Sequence, residues 1–170
     1  HHSIGSDIVD YLLSQGVRII LIYHNVTPPA FIRNVDPVLA QQLERGQQQL
    51  EVLQSATLLG LGVSAYDEMD LQRAGYGETG ILPIVLDESR YTIPPNRDIL
   101  SQYQDGALKL LFVGRLVPNK RQEDLIKFLY YLHRIKPSAR LFLVGSSWLP
   151  AYGDWLRELV DELKMNDTVI

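Results

Sequence analysis

The 170-residue chain contains no cysteine. Disulfide frameworks, thiolate zinc sites and cysteine nucleophiles are therefore excluded, and the composition agrees with a reducing compartment. Basic charge is not in excess either: 16 Lys and Arg stand against 20 Asp and Glu, a net charge of −4. Such a surface has no general attraction for nucleic acid or anionic membranes, so any phosphate must be bound by a local arrangement. Long hydrophobic runs are missing as well; stretches such as 19–23 and 110–113 are strand-length, far below the ~20 apolar residues of a membrane helix. The chain opens on His1-His2 rather than Met, with no charged segment leading into an apolar one. No signal peptide is visible, and the expectation is a cytoplasmic segment of a longer polypeptide. What is present is average: 46% hydrophobic and 21% charged residues, the balance of a soluble chain forming one domain or two small pieces.

Local signals divide the chain into alternating strands and helices. Ser6 caps a short helix over 7–15, with Ile8 and Leu12 on its apolar face, and Gly16 stops it. Residues 18–23 form a nearly continuous apolar run, as in a strand covered on both faces, with His24 at its carboxyl end. Asp36 caps and Pro37 opens a long helix to about Ser55, with Leu39, Leu43, Leu50 and Leu53 inward and the Gln47–Gln49 run solvated. Gly46 is expected to weaken it. A strand follows over 56–61, then a helix from Ser64 to Gly75 whose Asp67, Glu68 and Asp70 face solvent, then a strand over 80–86. Residues 88–106 hold Pro94-Pro95-Asn96 and no sustained period, which marks a linker between a unit over 1–87 and a unit over 107–170. The second unit is expected to hold strands over 108–113 and 140–144. Its helices are expected over 120–135, with Leu125, Phe128, Leu129 and Leu132 on one stripe, and over 152–165; a strand begins at Thr168. This alternation predicts an α/β protein with parallel sheets.

One segment is sharper than the rest. The strand ending at Val113 runs into Gly114-Arg115-Leu116-Val117-Pro118-Asn119-Lys120 and then a helix. Loops of this kind lie at the carboxyl ends of parallel strands, where open α/β sheets bind ligands. Asn119 as cap and Gln122 three residues on predict an ordered helix start with free N–H groups. Arg115 and Lys120 add full charges there, and Gly114 permits close backbone approach, which together suit a diphosphate. It is not a P-loop, because Asn119 replaces the second glycine and Arg121 the magnesium-binding hydroxyl. Gly145, Ser146, Ser147 and Trp148 end the neighbouring strand; Trp148 is expected to pack as an apolar plug. The four His and the absence of Cys offer no ligand spacing, so no metal site is expected.

The segment F-V-G-R-L-V-P-N-K at 112–120 resembles the F-V-G-R-x-x-x-x-K segment of the retaining family-four (group 1) glycosyltransferases of GT-B fold. The stretch G-I-L-P-I-V-L-D-E-S-R-Y at 80–91 is similar to that family's strand before the interdomain linker. L-F-L-V-G at 141–145 resembles its next strand, and the front of the chain resembles the histidine-bearing strand ends of its amino-terminal domain. The resemblance implies two incomplete Rossmann-like parallel-sheet units joined by a linker: the later part of the acceptor-side domain, then the first part of the nucleotide-sugar-binding domain. It implies that Arg115 and Lys120 hold the donor diphosphate, with Gly114, Gly145 and Ser146 lining it, and that His1 or His2 contacts the donor sugar. The donor would be a UDP-, GDP- or ADP-sugar and the acceptor an unknown sugar or lipid-linked group; no separate cofactor is implied. The family's Gly-rich loop and glutamate pair have no counterpart here, so the chain alone is expected to be inactive. Its truncated sheets are expected to favour self-association, and the full-length protein could dock peripherally on a membrane. The alternative is a non-enzymatic nucleotide- or phosphate-binding α/β module. A receiver-like domain ranks last, since Asp87 has no acidic company at its strand end.

Overall fold

Ser6 accepts a hydrogen bond from the Ile8 N–H and opens α1 (Asp7–Ser14). Asp36 does the same for α2 (Pro37–Leu53) through the Leu39 N–H, and Ser64 for α3 (Ala65–Arg73) through that of Asp67. These caps satisfy backbone donors that the first helical turn leaves unpaired. Between the helices lie β1 (Ile19–Tyr23), β2 (Thr57–Gly62) and β3 (Thr79–Ile81), a parallel sheet in that order. His2 adds a parallel bridge to Tyr23. The computed structural model describes all of residues 1–170 and divides them into two units, His1–Asp87 and Glu88–Ile170.

The first unit departs from the sequence expectations at several points. Helix α1 buries Val9 and exposes Ile8, so its inward face is rotated. Gln49 is buried rather than solvated: its side chain accepts from the Ser6 N–H at 2.9 Å and donates to the Ser6 carbonyl at 2.8 Å, which ties both backbone groups of Ser6 to α2. Gly46 is a packing requirement, because a Cβ there would lie 2.8 Å from the Gly5 nitrogen. Asp67 is also buried and accepts from the Ser64 hydroxyl at 2.7 Å. The third strand is only three residues long; the Leu82 N–H still donates to the Gly62 carbonyl at 2.9 Å, and 82–86 continue as exposed chain outside the strand.

In the second unit Asn96 caps a helix inside the stretch expected to be linker, α4 (Arg97–Gln102). It is followed by β4 (Lys109–Val113), α5 (Gln122–Leu132), β5 (Arg140–Val144) and α6 (Pro150–Glu162). Strands β4 and β5 pair in parallel, Leu111 opposite Phe142, and Val169 bridges Leu141 on the other side of β5. Ile126, Leu129, Ala139 and Leu141 are fully enclosed. The inward stripe of α5 is thus Ile126 and Leu129, with Phe128 outside. Tyr103 sets its ring edge-on to Phe142 at 4.8 Å, and Asp105 pairs with Lys109 at 2.8 Å and with Arg140. Those hydrogen bonds, Lys109 foremost, hold the Asp105 carboxyl below the usual carboxylate range. Residues 103–105 therefore belong with the second sheet. No helix in the structure is long and apolar enough to cross a membrane.

Candidate functional site

At the carboxyl ends of β4 and β5 the two following loops continue to pair. The Gly114 N–H donates to Val144 O at 2.9 Å and the Leu116 N–H to Ser146 O at 2.9 Å. The approach is so close that a Cβ on Gly145 would sit 1.9 Å from the Gly114 carbonyl oxygen. Gly114, Arg115, Gly145 and Ser146 are in this way brought together, as the sequence suggested. Lys120 ends a 3-10 turn (Pro118–Lys120) and is exposed.

The helix start differs from expectation. Asn119 lies inside the 3-10 turn, and α5 begins at Gln122 after Arg121, which takes the left-handed conformation at φ 56°. Gln122 is fully buried and is no capping partner; its amide donates to the Arg115 carbonyl at 2.9 Å, and its oxygen accepts from the Tyr152 hydroxyl at 3.1 Å. The same hydroxyl contacts the Glu123 carboxylate. Burial raises the Tyr152 pKa, Glu123 adds to the shift, and the N–H groups of Glu123 and Gln122 oppose it. Tyr152 thus occupies the amino terminus of α5 that was expected to stay open. An anion approaching this end of the unit would meet the loop and its side chains instead.

Three cations lie on this loop and their situations differ. Arg121 is ion-paired, 3.0 Å from Glu123 and 2.8 Å from Asp124. Arg115 and Lys120 have no carboxylate partner; Arg115 instead places its guanidinium over the Trp148 ring, 4.9 Å from the centroid. Trp148 is 52% exposed, so it is not the apolar plug expected from sequence. In the sequence Gln122 reads as the partner of an Asn119 cap, and nothing marks Tyr152 for this contact.

Three of the four histidines lie in the first unit and His133 in the second. His2 is 3% exposed and its Nε2 meets the Gly46 carbonyl at 2.8 Å, a packing arrangement that leaves its ring enclosed. His1 is exposed and its Nδ1 lies 2.6 Å from Nε2 of His24, with the rings stacked. His133 meets the Ala139 carbonyl at 2.9 Å. Burial lowers the His2 pKa, partly offset by the Gly46 hydrogen bond. The folded protein therefore binds fewer protons at His2 than the unfolded chain, so this contribution is complete above the unfolded value of about 6.5 and diminishes as the pH falls below it. Denaturant unfolding between pH 8 and pH 5 should show this loss in the parent and a shallower one in His2→Asn. Equal slopes would remove His2 as the cause.

No family model matches the chain, and no curated protein matches it. Solved structures do. HepE from Anabaena, crystallised in complex with UDP and glucose, superposes with a TM-score of 0.67 at 18% identity, over 95% of this chain and 42% of that one. Sucrose-phosphate synthase from Thermosynechococcus elongatus gives a TM-score of 0.68 at 22% identity, over 95% and 41%. The chain thus spans about two fifths of the length of these structures. The likeness is one of fold: the two small parallel sheets match the Rossmann-like halves of GT-B structures.

Proposed function

We propose that this chain is part of a glycosyltransferase that moves a sugar from a nucleotide-diphosphate donor to an acceptor with retention, and that its second unit supplies part of the diphosphate site. One observation carries this: of the three cations on the loop after β4, Arg121 is held by Glu123 and Asp124, while Arg115 and Lys120 remain without carboxylate partners beside the glycine-lined ends of two parallel strands. The fold shared with HepE, whose crystal contains UDP and glucose, supports the same reading. Breaking a glycosyl–phosphate bond builds negative charge on the phosphate oxygens, and fixed cations aimed there lower the barrier. Arg115 suits a bidentate hold on two oxygens and Lys120 a point charge on the departing group. No metal ion is needed for that neutralisation. Of the two leading histidines only His1 is exposed; His2 is enclosed, which takes it out of the reading as a sugar contact. Alone, the chain is proposed to be inactive and to self-associate, in keeping with the exposed apolar residues Leu111, Val113 and Val144 on β4 and β5.

Titration of the chain with UDP, GDP and ADP, followed by amide NMR, tests this. Saturable shifts at residues 114–120 and 145–148 are expected. Affinity should be at least about tenfold weaker in Arg115→Ala/Lys120→Ala, since hydrogen bonds to charged groups contribute about 1.5–3 kcal/mol. Unchanged affinity in the double variant, or no shift with any of the three, would sink the assignment.

A further inference from the structure

Arg115 is restrained at both ends. Its carbonyl accepts from the buried amide of Gln122, and its neighbour Leu116 is tied through its N–H to Ser146. Its guanidinium would be free to sweep through solvent but for Trp148, whose ring lies beneath it at 4.9 Å. Trp148 is held in turn. Ser146 is bonded to Leu116 on one side, and on the other Leu149 is buried, its carbonyl accepting from the N–H groups of Tyr152 and Gly153 at 3.1 and 3.2 Å. The loop between them has little slack, because a Cβ on Gly153 would come within 2.3 Å of the Ser147 hydroxyl. A large apolar ring kept half in water by a pinned loop is doing little for the core. It offers a flat face at the mouth of the strand ends.

We propose, resting on the diphosphate reading above, that Trp148 is the positioning residue of Arg115: its ring carries the face of the guanidinium so that the N–H edge stays directed at a phosphate group bound between the loops after β4 and β5. The geometry allows both contacts together. A guanidinium stacks through its π face and donates hydrogen bonds in its plane, so the ring and two phosphate oxygens do not compete for the same atoms. The gain lies in pre-organisation, because a long flexible side chain loses less freedom on binding when a fixed platform has already restricted it. Lys120 has no such platform, which separates an oriented, two-pronged contact from a mobile point charge within one site.

The experiment has an arm without ligand and an arm with UDP. In the free chain the Arg115 Nε–H resonance is expected to be shifted upfield by the indole ring current, to lose that shift in Trp148→Ala and to keep most of it in Trp148→Phe. With UDP, Trp148→Ala should weaken binding about two- to fivefold, the range of an exposed cation–π contact. Trp148→Phe should restore most of the loss, and Trp148→Ala should have no effect once Arg115 is Ala. Fluorescence in a Trp155→Phe background, which leaves Trp148 as the only indole, should report UDP binding. An Arg115 resonance without ring shift overturns the proposal. So does a Trp148→Ala loss that persists in Arg115→Ala, which would make the ring a direct contact of the nucleotide. An intact ring shift with no UDP binding at all refutes the diphosphate reading instead, and the positioning role falls with it.

Discussion

Gly145→Ala is expected to abolish nucleotide binding and to destabilise the second unit by about 3 kcal/mol, the upper part of the range for overpacked sites. The new methyl would lie 1.9 Å from the Gly114 carbonyl oxygen and 2.6 Å from its carbon. The obstacle is backbone, so no rotamer change relieves it. The loops after β4 and β5 must separate, which breaks the Gly114 to Val144 and Leu116 to Ser146 hydrogen bonds and moves Arg115 away from Trp148. Gly77→Ala is the control, because nothing lies within 4 Å of its added methyl. Denaturant unfolding of both variants checks the prediction. A Gly145→Ala protein as stable as Gly77→Ala, still binding UDP, would falsify the close-approach account of this crevice.

The second large effect is expected from Gln122→Leu, which keeps the volume but removes the amide. The Arg115 carbonyl loses its donor and the Tyr152 hydroxyl loses one acceptor inside the protein. An unsatisfied buried group costs about 1–3 kcal/mol, and the loop carrying Arg115 loses its tether, so UDP affinity should fall together with stability. Tyr152→Phe removes the other half of the same network. The double variant should lose less than the sum of the two single losses, because the groups left unpaired are shared. Strict additivity in urea unfolding would show that the two side chains act independently.

Much of the fold was legible because its causes are local. Ser6, Asp36 and Ser64 were readable as caps, since a cap needs only its own side chain and the next two or three N–H groups. The strands with continuous apolar runs were readable for the same reason. The errors fell where distant residues decide. Gln49 looked like part of a solvated run, yet it is enclosed against Ser6, 43 positions earlier. Asn119 looked like a cap; the left-handed Arg121 and the contacts of Gln122 moved the helix start past it. Residues 88–106 show no sustained period and read as a linker, but Tyr103 and Asp105 are fastened to β5 by Phe142 and Arg140.

The site shows the same division. By itself the sequence determined an α/β alternation and a loop of glycine and basic residues at a strand end. Hydrophobic period, capping and residue type act over a few neighbouring positions and are written in them. Only the tertiary structure decided which two of the three cations stay without a carboxylate partner, which histidine is enclosed, and that Tyr152, 30 residues along the chain from Gln122, closes the helix end. Those outcomes depend on which side chains packing brings within hydrogen-bonding distance. A charge or an amide has no fixed role until its partner is chosen.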